Sequence, residues 1–221
     1  EGGEGGVDPE RAARDPAAYL IALDVIRAHY LAGLGAYAAG DRRAAAEMFV
    51  HPIAEVYYTL EPIFEARGVP PFVDAMTEAG ELAFAGADLA TIREAGETVL
   101  TATEEAARHA PETARTRAAV EAAVIADMID RAARQYAFAK SQRIKGAYLD
   151  GYGYFKAAAS RADSMKMAIR DRDEKAWARL EAALDELAAA YPEAAPPESL
   201  DAETGRLLST ASRAVLATGS L

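Results

Sequence analysis

The 221-residue sequence predicts an all-α protein, and three observations support this. Apolar residues recur at helical spacing along most of the chain. Asp, Gly and Pro stand where helices would start and stop. No segment combines strand alternation with turn signals at strand spacing. We therefore expect an up-and-down helical bundle of about seven to eight helices, with two stacked bundles as the alternative arrangement.

The first two helices are predicted to form a hairpin. Asp15 is a helix cap followed by a proline at the first helical position, and Gly40 ends that helix. Asp41 then caps a second helix that runs to about Ala66. A turn this short makes the two helices antiparallel neighbours.

Two prolines fall inside the second predicted helix. Pro52 is expected to kink it, and Pro62 to break it near its end, because proline lacks the backbone N–H that a helix needs. The same start and stop signals predict the remaining helices. Their expected ranges are 71–85, 88–109, 112–140, 146–169, 171–191 or 173–191, and 199–217 or 201–217.

The Gly-rich, acidic opening suggests a flexible leader over residues 1–14, followed by a single all-helical domain over residues 15–221. If that domain divides, the expected halves are 15–110 and 111–221. We interpret the leader either as the spacer that remains after removal of a signal peptide or as an arbitrary start of the chain.

Composition narrows the function classes. The net charge of -11 disfavours binding to nucleic acid or to anionic lipid. The absence of cysteine excludes disulfides, zinc–thiolate sites, iron–sulfur clusters and thiol catalysis. No run of about 18 consecutive apolar residues is present, so we expect no membrane span. No nucleophile arrangement suggests an enzyme.

The segment around His51 is the first candidate site. Glu47, His51 and Glu55 are spaced i, i+4, i+8 along one helical stripe, and Met48 lies on its edge. Imidazole and carboxylate suit iron, zinc or copper(II), whereas a thioether favours copper(I). In the alternative interpretation, His51 bonds to a backbone group and both glutamates face water.

His29 is the second candidate, on the apolar face of the first helix. It lies eleven residues before Gly40, and His51 lies eleven residues after it. Since helices rise about 1.5 Å per residue, the hairpin should place the two imidazoles at the same height. His109, at a helix C-terminus, is interpreted as a cap and not as a ligand.

Two segments also resemble a known group of proteins. Residues 29–57, HYLAGLGAYAAGDRRAAAEMFVHPIAEVY, contain a histidine, a Gly-Asp turn and an H-P-x-x-E motif in succession. Residues 131–155, RAARQYAFAKSQRIKGAYLDGYGYF, contain a tyrosine-rich helix pair. Both resemble exported proteobacterial helical bundles, similar to iron-permease-associated and imelysin-like periplasmic domains.

The resemblance implies a polar site at His29, His51, Glu55 and Asp150, with Tyr148 beside it. Together with the spacing of Met48 and Glu47, it predicts a periplasmic, non-catalytic protein that binds iron or copper for uptake or storage. The implied partner is an inner-membrane metal transporter. The alternative function is a structural or partner-binding helical module without ligand, and an acid–base enzyme is a third, less favoured class.

Overall fold

The computed structural model describes residues 6–219 and 221. Regular secondary structure in these residues is entirely helical, which confirms the predicted all-α bundle class. The chain divides into two compact units, Glu1–Thr113 and Ala114–Leu221, called here the N-terminal unit and the C-terminal unit.

The described part of the N-terminal unit contains six α-helices and one π-helical turn. In chain order these are α1 (Pro9–Ala12), α2 (Pro16–Ala38), α3 (Arg42–Pro52), the π-helical turn (Ile53–Tyr57), α4 (Tyr58–Ala66), α5 (Val73–Ala85) and α6 (Leu89–Ala107). Helix α2 packs on α3, α3 on α5, α5 on α6, and α6 closes the ring on α2. The core of this unit therefore lies inside a ring of four helices.

The C-terminal unit repeats this plan, with its two longest helices first. It contains α7 (Arg117–Gln142), α8 (Lys145–Arg172), α9 (Glu174–Ala190) and α10 (Thr204–Thr218). Each helix packs on the next in the chain, and α10 packs back on α7. Helix α7 also contacts α9 across the interior. Each unit by itself thus contains a four-helix bundle.

Aspartate caps form where the sequence predicts them. The Asp15 side chain accepts a hydrogen bond from the Ala17 N–H, and Asp41 accepts one from Ala44. Asp88 and Asp173 cap α6 and α9 in the same way. These boundaries are confirmed because an Asp carboxylate satisfies backbone N–H groups at a helix start whatever the tertiary context.

Several predicted boundaries differ from the structure. Helix α7 begins after a Thr116 cap, five residues later than expected, and α10 begins after Glu203 and not after Ser199 or Asp201. The break expected near Lys145 and Gly146 falls at Arg143, which has a positive φ of 59°. Helices that end in a left-handed residue usually do so at glycine, so the sequence favoured Gly146. Arginine seldom adopts this conformation, and its role as the helix terminator was therefore not predicted.

The two prolines of the second predicted helix have different outcomes. After Pro52 the backbone follows a π-helical turn, in which the Tyr58 N–H donates to the Ile53 carbonyl five residues earlier. Pro52 has no N–H, so the α-helical hydrogen-bond register changes there. Pro62, expected to break the helix, instead lies inside α4, which continues to Ala66.

The predicted leader is described only in part. Residues 1–5 lie outside the described residues. Within the rest of the leader, Asp8 accepts a hydrogen bond from the Arg11 N–H and caps the single-turn helix α1, which the sequence analysis did not predict.

Helix α2 is long and apolar enough to cross a bilayer by length and composition, with a mean hydropathy of 1.3 over its best window. In the fold, 72% of that window is buried. The core helix of a soluble protein and a signal sequence satisfy the same criterion, so composition by itself does not distinguish them.

Candidate functional site

The structure brings the imidazole rings of His29 and His51 together. Their centroids are 6.5 Å apart, and the ring planes are inclined at 72°. This confirms the equal height that the hairpin spacing predicts. The pair lies between two helices that pack along their lengths, α2 and α3.

His29 is the buried member of the pair and has a fixed orientation. Its side chain is 6% exposed, and Nδ1 lies 2.8 Å from the Val25 carbonyl oxygen one turn earlier. A carbonyl only accepts, so Nδ1 carries the proton and donates. In the neutral ring the lone pair is therefore on Nε2, which is the nitrogen that a metal ion would take.

His51 is the exposed member and lies in the last turn of α3, directly before Pro52 and the π-helical turn. It makes no hydrogen bond to another described residue, so the alternative interpretation, a bond to backbone, is not observed. Solvent reaches this imidazole, while the partner ring belongs to the interior. One ring is thus anchored and the other is accessible.

The other residues of the predicted stripe do not join the two rings in a larger cluster. Glu47 pairs with Arg43 at 3.0 Å on the outside of α3, and Met48 is buried in the core. Glu55 lies half-buried in the π-helical turn. The extra residue in that turn shifts the helical phase, so the i, i+4, i+8 stripe does not continue through it.

Across residues 6–219 and 221, no group of three or more His, Asp or Glu side chains is arranged to hold a metal ion. Any metal bound by the two imidazoles of the N-terminal unit would therefore need further ligands, such as water or a group from another molecule.

Close helix packing fixes the backbone around the pair. A Cβ atom built on Gly33 would lie 2.5 Å from Cε1 of Phe49, so only glycine lets α3 approach α2 this closely. The buried Tyr30 hydroxyl lies 3.2 Å from the carbonyl oxygens of both Phe49 and Met76. Burial raises the pKa of this tyrosine, so it remains a neutral hydrogen-bond donor.

Tyr148 and Asp150, which the resemblance places at the site, belong to α8 of the C-terminal unit. The Tyr148 ring is fully buried, and its hydroxyl donates to the Glu193 carbonyl at 3.0 Å. Burial raises the pKa of Tyr148, which keeps its hydroxyl protonated and suits a structural role better than metal ligation. Asp150 is half-buried two residues further along.

One pair of polar side chains, Arg67 and His109, was not predicted from the sequence to be in contact. Arg67, at the C-terminus of α4, and His109, just beyond α6, each donate to the other's backbone carbonyl. His109 was predicted to be a helix cap, yet its Nδ1 donates to another helix end, 2.8 Å from the Arg67 oxygen. The residues are 42 positions apart, and no local pattern signals the contact.

Comparisons with protein-family models, curated protein sequences and solved structures found no match to this chain. A function has to be inferred from the side chains that the fold brings together.

Proposed function

We propose that the protein binds a transition-metal ion between His29 and His51 and serves, without catalysing a reaction, in periplasmic metal uptake or storage. The observation that carries the proposal is the 6.5 Å separation of the two ring centroids. Two imidazoles on one ion, with bonds of about 2.0–2.1 Å each, lie slightly closer than this. Rotation of the exposed His51 side chain would supply the difference.

The hydrogen bond at His29 supports the proposal. Histidines that bind metals almost always donate their other ring N–H to a carbonyl or carboxylate, which fixes the tautomer and the ring direction. His29 makes such a bond through Nδ1 to the Val25 carbonyl. The buried imidazole would be oriented before the metal arrives.

The exposure of His51 favours a carrier over a structural site. Structural metal sites are closed by four protein ligands, whereas a site with open positions exchanges its ligands. Two imidazoles without a converging carboxylate favour copper(II) over iron, since copper(II) binds nitrogen ligands most strongly of the common divalent ions. An inner-membrane metal transporter is the partner we propose, in keeping with the resemblance of residues 29–57 to exported helical bundles.

Copper(II) titration tests the proposal. We expect isothermal titration calorimetry to show one copper(II) per chain and electron paramagnetic resonance to show nitrogen coupling from two imidazoles. His51→Ala should weaken binding by at least about tenfold, because it removes a direct ligand. His109→Ala is the matched control, since it removes the third histidine of the same unit, and it should bind like the wild type.

Two results of the copper(II) and iron titrations would contradict the proposal. Copper(II) binding of the same strength in the wild type, His51→Ala and His109→Ala would place any bound metal elsewhere. Absence of binding to wild-type protein by copper(II) and iron would favour the second candidate, a partner-binding helical module without ligand. The specific observation for that candidate is the adjacent pair Val215 and Leu216 on α10, which are 41% and 78% exposed.

A further inference from the structure

A pocket of about 440 Å³ opens in the N-terminal unit where the ends of α1, α4 and α6 meet. Its volume falls in the range of small-molecule sites, about 300–1,000 Å³. Four of its six lining residues are apolar, and the other two, Arg67 and His109, are polar. The lining residues are Ala13, Pro62, Ile63, Ala66, Arg67 and His109.

Arg67 is the cationic group of this pocket. Its guanidinium donates to the Ala13 carbonyl at 2.9 Å and to the His109 carbonyl at 3.1 Å, and it lies over the Tyr19 ring at 5.9 Å. No described Asp or Glu forms an ion pair with it. A guanidinium has five N–H donors, so three remain beyond the two that bond to these carbonyls. A half-buried arginine without a carboxylate partner can receive an anion from outside the chain.

His109 holds the arginine in place. It donates through Nδ1 to the Arg67 carbonyl, while Arg67 donates to the His109 carbonyl, so the two residues fix each other's backbone. The guanidinium is therefore oriented before any ligand binds, which lowers the entropy cost of binding. His109 is also a lining residue of the pocket.

We propose that this pocket binds the carboxylate of a small organic acid, with Arg67 pairing with the carboxylate and Pro62 and Ile63 contacting the apolar part of the ligand. The planar fork of a guanidinium matches a carboxylate in a bidentate pair. The apolar wall favours an organic acid over an inorganic anion. The net charge of -11 repels anions from the rest of the surface, so binding depends on this local cation.

Benzoate and its uncharged analogue benzamide are the probes. We expect saturable benzoate binding in heteronuclear NMR titrations of the full chain, with shifts at Ile63, Arg67 and His109, and at least tenfold weaker binding of benzamide. Arg67→Gln should lower benzoate affinity by about tenfold or more, the scale of a lost charged hydrogen bond. Arg93→Gln, which removes an exposed arginine of α6, is the control for net charge and should bind like the wild type.

Because Arg67 also connects helix ends, a second pair of variants keeps it intact. Ala66 is exposed at the pocket wall, so Ala66→Glu adds a like charge beside the carboxylate and Ala66→Gln adds the same volume without charge. Benzoate binding should fall by about tenfold in Ala66→Glu relative to Ala66→Gln. Equal affinity in these two variants, equal binding of benzoate and benzamide, or displacement of benzoate by inorganic phosphate at equal concentration would overturn the proposal.

Discussion

The two four-helix units share one packing plan but place different chemistry in their interiors. All three histidines lie in the N-terminal unit, whose second long helix is interrupted by Pro52 and a π-helical turn. The C-terminal unit has no histidine, and its first two helices run for 26 and 28 residues. The interrupted helix and all of the chain's histidines therefore occur together in one unit.

The polar groups inside the C-terminal unit have partners within that unit. The Tyr148 hydroxyl donates to the Glu193 carbonyl at 3.0 Å, and the Tyr191 hydroxyl donates to the Ala132 carbonyl at 2.8 Å. The buried Glu121 carboxylate accepts from Arg161. The exposed ring of His51, by contrast, has no hydrogen-bond partner among the described residues. The comparison teaches that the C-terminal unit pairs these polar groups within its own core, whereas the N-terminal unit leaves one imidazole exposed and without a hydrogen bond to the described residues.

The largest effect we predict tests the packing of the tyrosine cluster of the C-terminal unit, in which the buried rings of Tyr136, Tyr148 and Tyr191 contact one another. A Cβ atom at Gly151 would overlap the buried Tyr191 hydroxyl and lie 2.6 Å from its Cζ. Gly151→Ala should lower the free energy of unfolding by about 3 kcal/mol, the upper range for overpacking. Urea denaturation measures this difference.

Gly146→Ala is the matched control for that variant. Gly146 lies in the first turn of the same helix, with nothing within 4 Å of an added Cβ. Alanine should be neutral there or stabilise by up to about 1 kcal/mol. Equal stability of the two variants would show that the tyrosine rings move aside to accommodate the added methyl group. The C-terminal unit would then not have the rigid core that distinguishes it in this comparison.

A smaller effect compares one polar side chain from each unit. Tyr148→Phe removes the donor to the Glu193 carbonyl in a buried setting and should cost about 1 kcal/mol. His51→Ala removes an exposed ring without a hydrogen bond and should change stability by less than about 0.5 kcal/mol. Thermal and urea unfolding of both metal-free variants test this. A greater loss from His51→Ala would make the histidine a structural residue, against the comparison.

The smallest effect concerns alkaline stability of the N-terminal unit. Burial raises the pKa of Tyr19 from 10.0 to about 12, although the nearby Arg67 partly opposes the rise. The fold therefore favours the neutral phenol. This contribution to stability is complete below pH 10 and is lost as the pH rises through about 12. Tyr19→Phe should therefore unfold at a higher pH than the wild type. Circular dichroism measures this, with the stability of each protein expressed relative to its own value at neutral pH.

Tyr58→Phe is the control for the alkaline experiment, because the Tyr58 ring is 55% exposed. Its unfolding midpoint on the pH axis should match that of the wild type. A midpoint for Tyr19→Phe that also matches the wild type would show that ionisation of Tyr19 does not contribute to alkaline unfolding.

The features predicted from the sequence are those that depend on local chemistry. Asp15 and Asp41 cap helices because their carboxylates lie next to unsatisfied N–H groups, and the rise per residue predicts the height of His29 and His51. The π-helical turn could not be predicted in this way. Pro52 indicates a disturbed helix, but its neighbours decide whether the chain kinks, ends or changes register.

Contacts between distant segments account for the remaining differences. The reciprocal bonds of Arg67 and His109 join residues that each look like ordinary helix ends in the sequence. The choice of Arg143 as a helix terminator requires a left-handed conformation that arginine seldom adopts. Tertiary packing selects such arrangements. Local sequence patterns contain no information on which distant segments will pack together, so they do not predict these contacts.

The ring closure of the N-terminal unit has a consequence for synthesis. Helix α2 ends at Ala38 and leaves the ribosome before its last neighbour, α6, which ends at Ala107. At about 5–20 residues per second, several seconds separate the two. During that interval this long, apolar helix is not yet covered on the side where α6 packs. Newly made protein is therefore exposed at this stage to chaperones, and to any export or membrane machinery that recognises apolar helices.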